Sequence, residues 1–434
     1  SSYDIIFHVF VFIAFLCLIF VIFALILNRG MKKIQMVDLI TQLEKIKPSI
    51  DKVINEVITT AQFINGPEVK AFQTELQEYL GVKHVIPCAN GTDALQIALM
   101  SLDLKPGDEV ITPGLTVVMD AYAVIHVGAT PVFVDIDRAT YGISAQEIQK
   151  NITDKTKAII TVSLQGLSVD MDPILELAKE KGIIVIDDSA QNILGTYKGR
   201  SAGALADISV FSFENKKHIT SGSEGGMLLT DNEEYATKAR KFGGIGYKHM
   251  TASAGRTSLA LSDVQDPGYE RFDTIGLNYR MSEVSAAVGL AQFERIGDIV
   301  DRRIAVAKMF DEAVKGCEWI VPQYTPEGYK HSHYTFSFEY KGFEALGITW
   351  KEFYNMYVEM GGDGFYSACV VPYLEPVFQK NEKYKNIYTK GMCPVAEDLQ
   401  KKIMQFKTNY RSLSEARIKA NILKVLVDKL GRKK

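Results

Sequence analysis

The sequence predicts an α/β fold in which helices cover both faces of a largely parallel sheet. From about residue 82, short runs rich in β-branched residues alternate with stretches of helical periodicity, a pattern typical of parallel βαβ units. Glycine and proline separate the runs, as in Lys105-Pro106-Gly107-Asp108. The last third changes character, with a strand-like run at Tyr334–Tyr340 and a helical run at Arg411–Leu430. We therefore expect a large sheet domain followed by a smaller α/β domain.

Seven runs are predicted as strands of the large domain, with helices between them. The strands are His84–Pro87, Glu109–Thr112, Pro131–Val134, Ala158–Val162, Ile183–Ile186, Ile208–Phe213 and Gly226–Thr230. The helices are Thr92–Ser101, Ala121–Val127, Ala145–Lys150 and Asp172–Lys181. Gly243–Thr274 is rich in Gly, Ser and Asp and is expected to be a long excursion. Helices resume at Ser282–Ile296 and continue to about Gly316.

Three divisions of the chain follow from this pattern. Residues 1–30 are a hydrophobic N-terminal segment, residues 31–295 an N-terminal arm with the large domain, and residues 296–434 the small C-terminal domain.

Composition excludes several classes of protein. Of 434 residues, 47% are hydrophobic and 23% charged, and the 49 basic and 52 acidic residues leave a formal charge of −3. This balance argues against nucleic-acid binding, which favours a basic face, and the apolar content argues against disorder. The scattered cysteines predict a reducing compartment. His331-Ser-His333 alternates in a strand-like run, so we interpret it as structural and predict no metal site.

The apolar run Ile5–Leu27 is a candidate transmembrane helix. As a helix it would rise about 35 Å, enough for a bilayer core of roughly 30 Å. Asp4 lies before the run and three basic residues follow at positions 29–33, so the rest of the chain is expected on the cytoplasmic side, anchored to the inner face of the membrane. The second interpretation is a leader added to an enzyme that is complete from Met31.

Two motifs follow predicted strands. Asn90-Gly91-Thr92-Asp93 opens a helix, where the glycine permits a tight turn while the threonine hydroxyl and the unpaired amides can bind an anion. An ordinary capped helix start is the alternative. Asp187-Asp188 ends an apolar strand, where ligands bind in open α/β sheets. Side chains alternate along a strand, so one carboxylate can do chemistry while the other is paired, unless both are solvated.

Two further motifs follow. Val210–Phe213 runs into Lys216-Lys217 and a glycine-rich turn. A lysine beside a cavity can form a Schiff base when its surroundings lower its pKa, although paired loop lysines are also ordinary solvated charge. The fourth motif, Gly276–Met281, precedes an Ala-rich helix and says little alone.

In this order and spacing, the four motifs resemble the DegT-like family of pyridoxal-phosphate-dependent sugar aminotransferases. The resemblance extends from about Met31 to the C-terminus and includes Pro106–Val110, Asp170–Asp172 and Cys393–Glu397. It implies the fold of type I aminotransferases, with a mostly parallel seven-stranded sheet in the large domain. It also implies a homodimer with shared active sites and the cofactor pyridoxal 5′-phosphate.

The resemblance assigns the catalytic residues. Lys217, five residues after Ser212, would hold the cofactor covalently and then move the substrate proton, whereas Lys216 would not be catalytic. Asp188 would pair with the pyridine nitrogen and keep it protonated. His218 lies one position beyond the place where some relatives carry a dehydrating histidine, so transamination is favoured.

The resemblance also assigns the cofactor-binding residues. Gln191 would lie near the 3-hydroxyl of the cofactor. The phosphate would rest on Gly91, Thr92 and Ser212. Asn278 would reach the phosphate of the neighbouring subunit.

The implied activity moves an amino group from L-glutamate to a keto-sugar for cell-surface polysaccharide or lipopolysaccharide biosynthesis. A nucleotide-linked ketohexose is the first expectation. An oxidised octulosonic acid, of the 8-amino-3,8-dideoxy-octulosonate type, is the alternative acceptor. A non-catalytic, membrane-tethered regulator that binds pyridoxal phosphate is an alternative of another class.

Two departures from the family pattern leave the acceptor open. Val117 stands where many relatives place an aromatic residue, and Pro372–Pro376 lacks the usual histidine. Both are expected near the acceptor sugar, together with Gly243–Gly246 and Arg256.

Overall fold

The computed structural model describes residues 39–44, 46–255 and 259–432. The apolar run Ile5–Leu27 and the candidate sugar contact Arg256 lie outside these ranges. Among the helices within them, none is both long enough and apolar enough to cross a membrane.

The predicted strands form a single sheet, and their ends move by at most about two residues from the predicted positions. The strands of the molecule are β1 (His84–Cys88), β2 (Glu109–Pro113), β3 (Thr130–Val134), β4 (Thr156–Val162), β5 (Ile184–Asp188), β6 (Thr196–Tyr197), β7 (Arg200–Ser201), β8 (Ile208–Ser212), β9 (Gly226–Thr230), β10 (Ile320–Pro322), β11 (Tyr329–Lys330), β12 (Thr335–Tyr340) and β13 (Ile403–Lys407). The large sheet has the order β1-β9-β8-β5-β4-β2-β3. β9 is antiparallel to both neighbours and the five strands from β8 to β3 are parallel, which confirms a mostly parallel seven-stranded sheet.

Helices connect these strands as predicted. They are α1 (Leu39–Glu44), α2 (Lys47–Thr60), α3 (Pro67–Leu80), α4 (Gly91–Met100), α5 (Val118–His126), α6 (Ala145–Asn151), α7 (Met171–Lys181), α8 (Glu233–Gly243), α9 (Leu261–Gln265), α10 (Glu283–Phe293), α11 (Ile296–Val314), α12 (Gly342–Leu346), α13 (Trp350–Glu359), α14 (Pro376–Gln379), α15 (Pro394–Leu399) and α16 (Leu413–Leu430). The predicted start of α5 at Ala121 was wrong by three residues. The helix begins directly after Val117, which is extended at φ −84° and ψ 142°.

Both faces of the large sheet are covered, as expected for parallel strands. Side chains that follow one another along a strand enter different cores. On β1, Val85 packs in a core with α3, whereas Ile86 packs in the core that contains α4. On β9, Leu228 packs in the core that contains α4, whereas its neighbour Leu229 packs in the core with α3.

The C-terminal part has its own antiparallel sheet and its own core. The strand order is β10-β12-β13, and α11 packs along α16. The core of this part includes Val306 and Phe310 on α11, whereas Ile296 and Val300, at the start of the same helix, pack in the core with α3. Helix α11 therefore passes from one core to the other, and the domain division at residues 295 and 296 stays a prediction.

A carboxylate far along the chain caps helix α3. The buried side chain of Glu283 accepts hydrogen bonds from the amides of Gly66 at 2.6 Å, Glu68 at 2.8 Å and Val69 at 3.2 Å. These amides have no partner inside α3, because the first turn of a helix leaves its N–H groups unpaired. Gly66 is required at this contact, since a Cβ there would lie 2.8 Å from the Glu283 carboxyl group. The cap thus joins the start of α3 to α10.

We expect Glu283→Ala to lower the free energy of unfolding by about 3 kcal/mol, because one buried and two partly buried amides lose a charged acceptor. Urea denaturation measures the change. Ser282→Ala is the matched control, since Ser282 is an ordinary N-cap that accepts from the amide of Ser285 at 3.1 Å, and its loss should cost about 1 kcal/mol. Equal losses for the two variants would contradict the role given to Glu283.

Candidate active site

Three motifs end at one edge of the large sheet. β5 and β8 are parallel neighbours, and β1 runs in the same direction as β8 because both are antiparallel to β9. The carboxyl ends of the three strands therefore meet at one edge, where open α/β sheets bind ligands. Asp188 and Ser212 are the last residues of β5 and β8, and Gly91 follows β1.

The turn before α4 packs directly on β8. A Cβ at Gly91 would lie 2.8 Å from the Cβ of Ser212, so only glycine allows this approach without displacement. The side chain of Asn90 accepts from the amide of Asp93 at 2.9 Å, which caps the helix. This cap leaves the earlier amides at Gly91 and Thr92, beside the Ser212 hydroxyl, to receive an anion.

Lys217 lies in the turn that follows β8. Its amide donates to the carbonyl of Glu214 at 2.9 Å, and its Nζ lies 5.3 Å from the centre of the Tyr334 ring. Across the described ranges, no hydrogen bond or ion pair involves this Nζ. Burial lowers the pKa of Lys217, and the negative charge of Asp188 opposes part of that effect. A larger neutral fraction of the amine follows, and the neutral amine is the nucleophile.

The residues on either side of Lys217 have different surroundings. Lys216 is exposed to solvent. His218 is buried with its Nε2 3.0 Å from the carbonyl oxygen of Ser332. Of the three residues, Lys217 is therefore the one whose side chain faces the carboxyl edge of β5.

The two carboxylates at the end of β5 have separate partners, as side-chain alternation predicts. Asp187 accepts from the hydroxyl groups of Thr161 at 2.8 Å and Ser189 at 2.5 Å, and burial raises its pKa to about 6. Asp188 accepts from the amide of Ala190 at 2.9 Å. Burial also raises the pKa of Asp188, while the charge of Lys217 opposes the rise. Asp188 is therefore the carboxylate that faces the amine.

The structure brings Gln191 to the same edge but leaves Asn278 apart. Gln191 is buried, and its Oε1 accepts from the amide of Gln165 at 2.8 Å, so its Nε2 can donate to a ligand. Asn278 is exposed, and its Oδ1 accepts from Nε of Arg280 at 2.8 Å. Within one chain, Asn278 thus belongs to the surface, whereas the other predicted residues form one cluster.

Sequence reasoning missed Asp120. Its side chain is fully buried in the first turn of α5, where one carboxyl oxygen accepts from the hydroxyl of Thr116 at 2.5 Å. The signal was an acidic residue within the apolar stretch Leu115–Ile125. The predicted helix starts at Ala121, so Asp120 falls just before it in the prediction.

The cluster fits pyridoxal phosphate. The glycine cradle and helix start at Gly91 suit its phosphate, and the buried Asp188 suits its ring nitrogen. The partly buried Nζ of Lys217, which has no hydrogen-bond or ion-pair partner among the described residues, suits its aldehyde. Each group of the cofactor thus meets a side chain or amide of the required chemistry.

Comparisons with known proteins agree with this fit. The profile of the DegT/DnrJ/EryC1/StrS aminotransferase family matches residues 44–424. A GDP-perosamine synthase of Caulobacter vibrioides is 39% identical over 263 residues, which are 60% of this chain and 66% of that protein. A UDP-N-acetyl-3-dehydro-alpha-D-glucosamine 3-aminotransferase of Acidithiobacillus ferrooxidans is 33% identical over 86% of this chain and 91% of that protein. The structure of an aminotransferase from Psychrobacter cryohalolentis has a TM-score of 0.78 and 28% identity, and covers 88% of this chain and 97% of its own.

Proposed function

The chain belongs to the DegT/DnrJ/EryC1/StrS aminotransferase family, and on that premise we propose that it transfers the amino group of L-glutamate to a nucleotide-linked keto-sugar. The family match and the named relatives confirm the predicted class, a sugar aminotransferase that depends on pyridoxal phosphate. The observation that carries the proposal is the partly buried amine of Lys217, which lies within electrostatic reach of the buried carboxylate of Asp188.

Different residues of the cluster would bind different groups of the cofactor. The amides of Gly91 and Thr92 and the hydroxyl of Ser212 would hold the phosphate, and Gln191 would donate to the 3-hydroxyl. Asp188 would pair with the ring nitrogen and keep its proton in place. When bound, the cofactor supplies an electron sink for the bonds at the amino acid's α-carbon.

Lys217 would provide the covalent attachment and the proton transfer. Its Nζ has no hydrogen-bond or ion-pair partner among the described residues, and burial lowers its pKa, so it would accept a proton from the α-carbon of the amino acid and return it at the aldehyde carbon (C4′) of the cofactor. Asp188 lies close enough to influence the charge of this amine. The exposed Lys216 is not positioned for this role.

The names of two relatives support a nucleotide-linked acceptor. One is a synthase of a GDP-linked sugar and the other an aminotransferase of a UDP-linked sugar. We therefore place such a sugar first, in the biosynthesis of a cell-surface polysaccharide or lipopolysaccharide.

We predict that L-glutamate converts the pyridoxal phosphate form of the protein to the pyridoxamine form. The loss of the visible absorbance band measures this conversion. A nucleotide-linked keto-sugar should restore that band. Lys217→Ala should lack the borohydride-reducible cofactor adduct, because among the described residues no other amine lies within electrostatic reach of Asp188. Lys216→Ala is the matched control and should behave as the wild type. A band that glutamate leaves unchanged would refute the donor assignment, and an adduct retained in Lys217→Ala would refute the role of Lys217.

We also propose a homodimer in which Asn278 completes the phosphate site of the partner subunit. Apolar side chains near this loop face solvent in the single chain: Ile275 is 95% exposed, and Phe272, Phe63 and Ile64 are also exposed. Such a patch favours an interface. A backbone bridge between Ile64 and Ser282 holds the arm near the same region.

Mixing two inactive variants tests the shared site. Lys217→Ala and Asn278→Asp should each be inactive as homodimers, but a mixed dimer keeps one site with both native residues. After subunit exchange, we expect an equal mixture to recover about a quarter of wild-type turnover, since about half of the dimers are mixed and each has one intact site of two. A mixture without activity, despite mixed dimers in native mass spectrometry, would contradict the shared site.

Finally, we propose that Ile5–Leu27 anchors the enzyme to the inner face of the membrane, on the strength of its length and flanking charges. The full chain should sediment with membranes and resist carbonate extraction, whereas a chain starting at Met31 should stay in the supernatant. Equal release of both chains would instead support the leader interpretation.

A further inference from the structure

Asp120 is an acidic side chain that the transamination scheme does not use, yet it is fully buried beside the site. Its Oδ2 accepts from the hydroxyl of Thr116 at 2.5 Å. Its Oδ1 is buried and has no hydrogen-bond donor. An ionised carboxylate in such a position would lose its hydration and gain only the hydrogen bond from Thr116, so burial disfavours the charged form.

The carboxyl groups of Asp120 and Asp188 lie within electrostatic reach of each other, and a hydrogen bond between them would satisfy the unpaired Oδ1 of Asp120. Two ionised carboxylates cannot form such a bond, because neither can donate. The bond therefore requires one proton between them, as in other pairs of adjacent buried carboxyl groups. Supplying that proton also gives the orphaned Oδ1 a partner.

The surrounding charges decide which carboxyl group keeps the proton. Asp188 lies on β5 and accepts a hydrogen bond from the amide of Ala190. The charge of Lys217, in the turn after β8, favours the ionised form of Asp188. Lys217 itself is also influenced by Glu214 and Glu224. For Asp120, burial and the charge of Asp188 raise the pKa well above its ordinary value, and Lys217 opposes this only in part.

We propose that Asp120 is a positioning residue that stays protonated and donates a hydrogen bond to Asp188, so that Asp188 remains ionised and fixed where it meets the cofactor. The chain of contacts runs from the Thr116 hydroxyl through Asp120 to Asp188. This inference rests on the proposed function only for the role of Asp188 toward the cofactor. The shared proton itself is a property of the chain without cofactor.

Infrared difference spectroscopy of the cofactor-free protein tests the proton. At pH 8, above the pKa of about 6 of Asp187, the wild type should show the carbonyl stretch of a buried carboxylic acid. Asp120→Asn should remove that band, because the amide can donate to Asp188 but carries no acid proton. Asp187→Asn is the matched control and should leave the band in place. A wild type without the band, or an Asp120→Asn variant that keeps it, would overturn the proposal.

Cofactor affinity tests the positioning. We expect Asp120→Asn to bind pyridoxal phosphate within about twofold of wild type, because it preserves a donor, and Asp120→Ala to bind about tenfold more weakly. Thermal melting shows whether each variant is folded, and the asparagine variant keeps the test valid if the alanine variant is not. Equal affinities for both variants would overturn the positioning role. Because the infrared result needs no turnover, a protein that fails to transaminate would count against the proposed function and leave this inference standing.

Discussion

The site depends on a partly buried amine, Lys217, and a buried carboxylate, Asp188, that lie near each other at one edge of a sheet. Burial disfavours the charged form of both Lys217 and Asp188, and each favours the charge of the other. For both groups the effect of burial is the larger, so the pKa of Lys217 is lowered and the pKa of Asp188 is raised. The rest of the fold maintains this balance, because β5 fixes Asp188 and the turn after β8 fixes Lys217.

Much of the site could be predicted because its residues sit at strand ends. Asp188 ends β5 and Ser212 ends β8, so identifying the strands already places both at the carboxyl edge. The period of two along a strand also separates Asp187 from Asp188. In each case a local rule was enough, since the neighbours in the sequence determine where the side chain points.

Other features depend on contacts between distant parts of the chain, which no local pattern contains. Glu283 caps a helix whose preceding residue, Gly66, lies 217 positions before it, and nothing near Glu283 distinguishes it from an ordinary first-turn acid of α10. Asp120 was missed because the β-branched Val117 and Val118 do not favour a helix, although packing starts α5 there. Because α5 starts at Val118, Asp120 lies in its first turn, beside the site.

The departures from the family pattern lie together in space. Backbone hydrogen bonds join Thr116 to Val370 at 3.1 and 3.3 Å. The segment that contains Val117 therefore lies beside the segment that leads into Pro372. Asp120 follows within the same turn, and its partner Thr116 is the residue at the bridge. An aliphatic side chain in place of an aromatic one and an altered proline segment therefore lie in the same region as the buried carboxyl group of Asp120. Because packed neighbours are energetically coupled, the two departures are best understood as one alteration of the site and not as two independent substitutions.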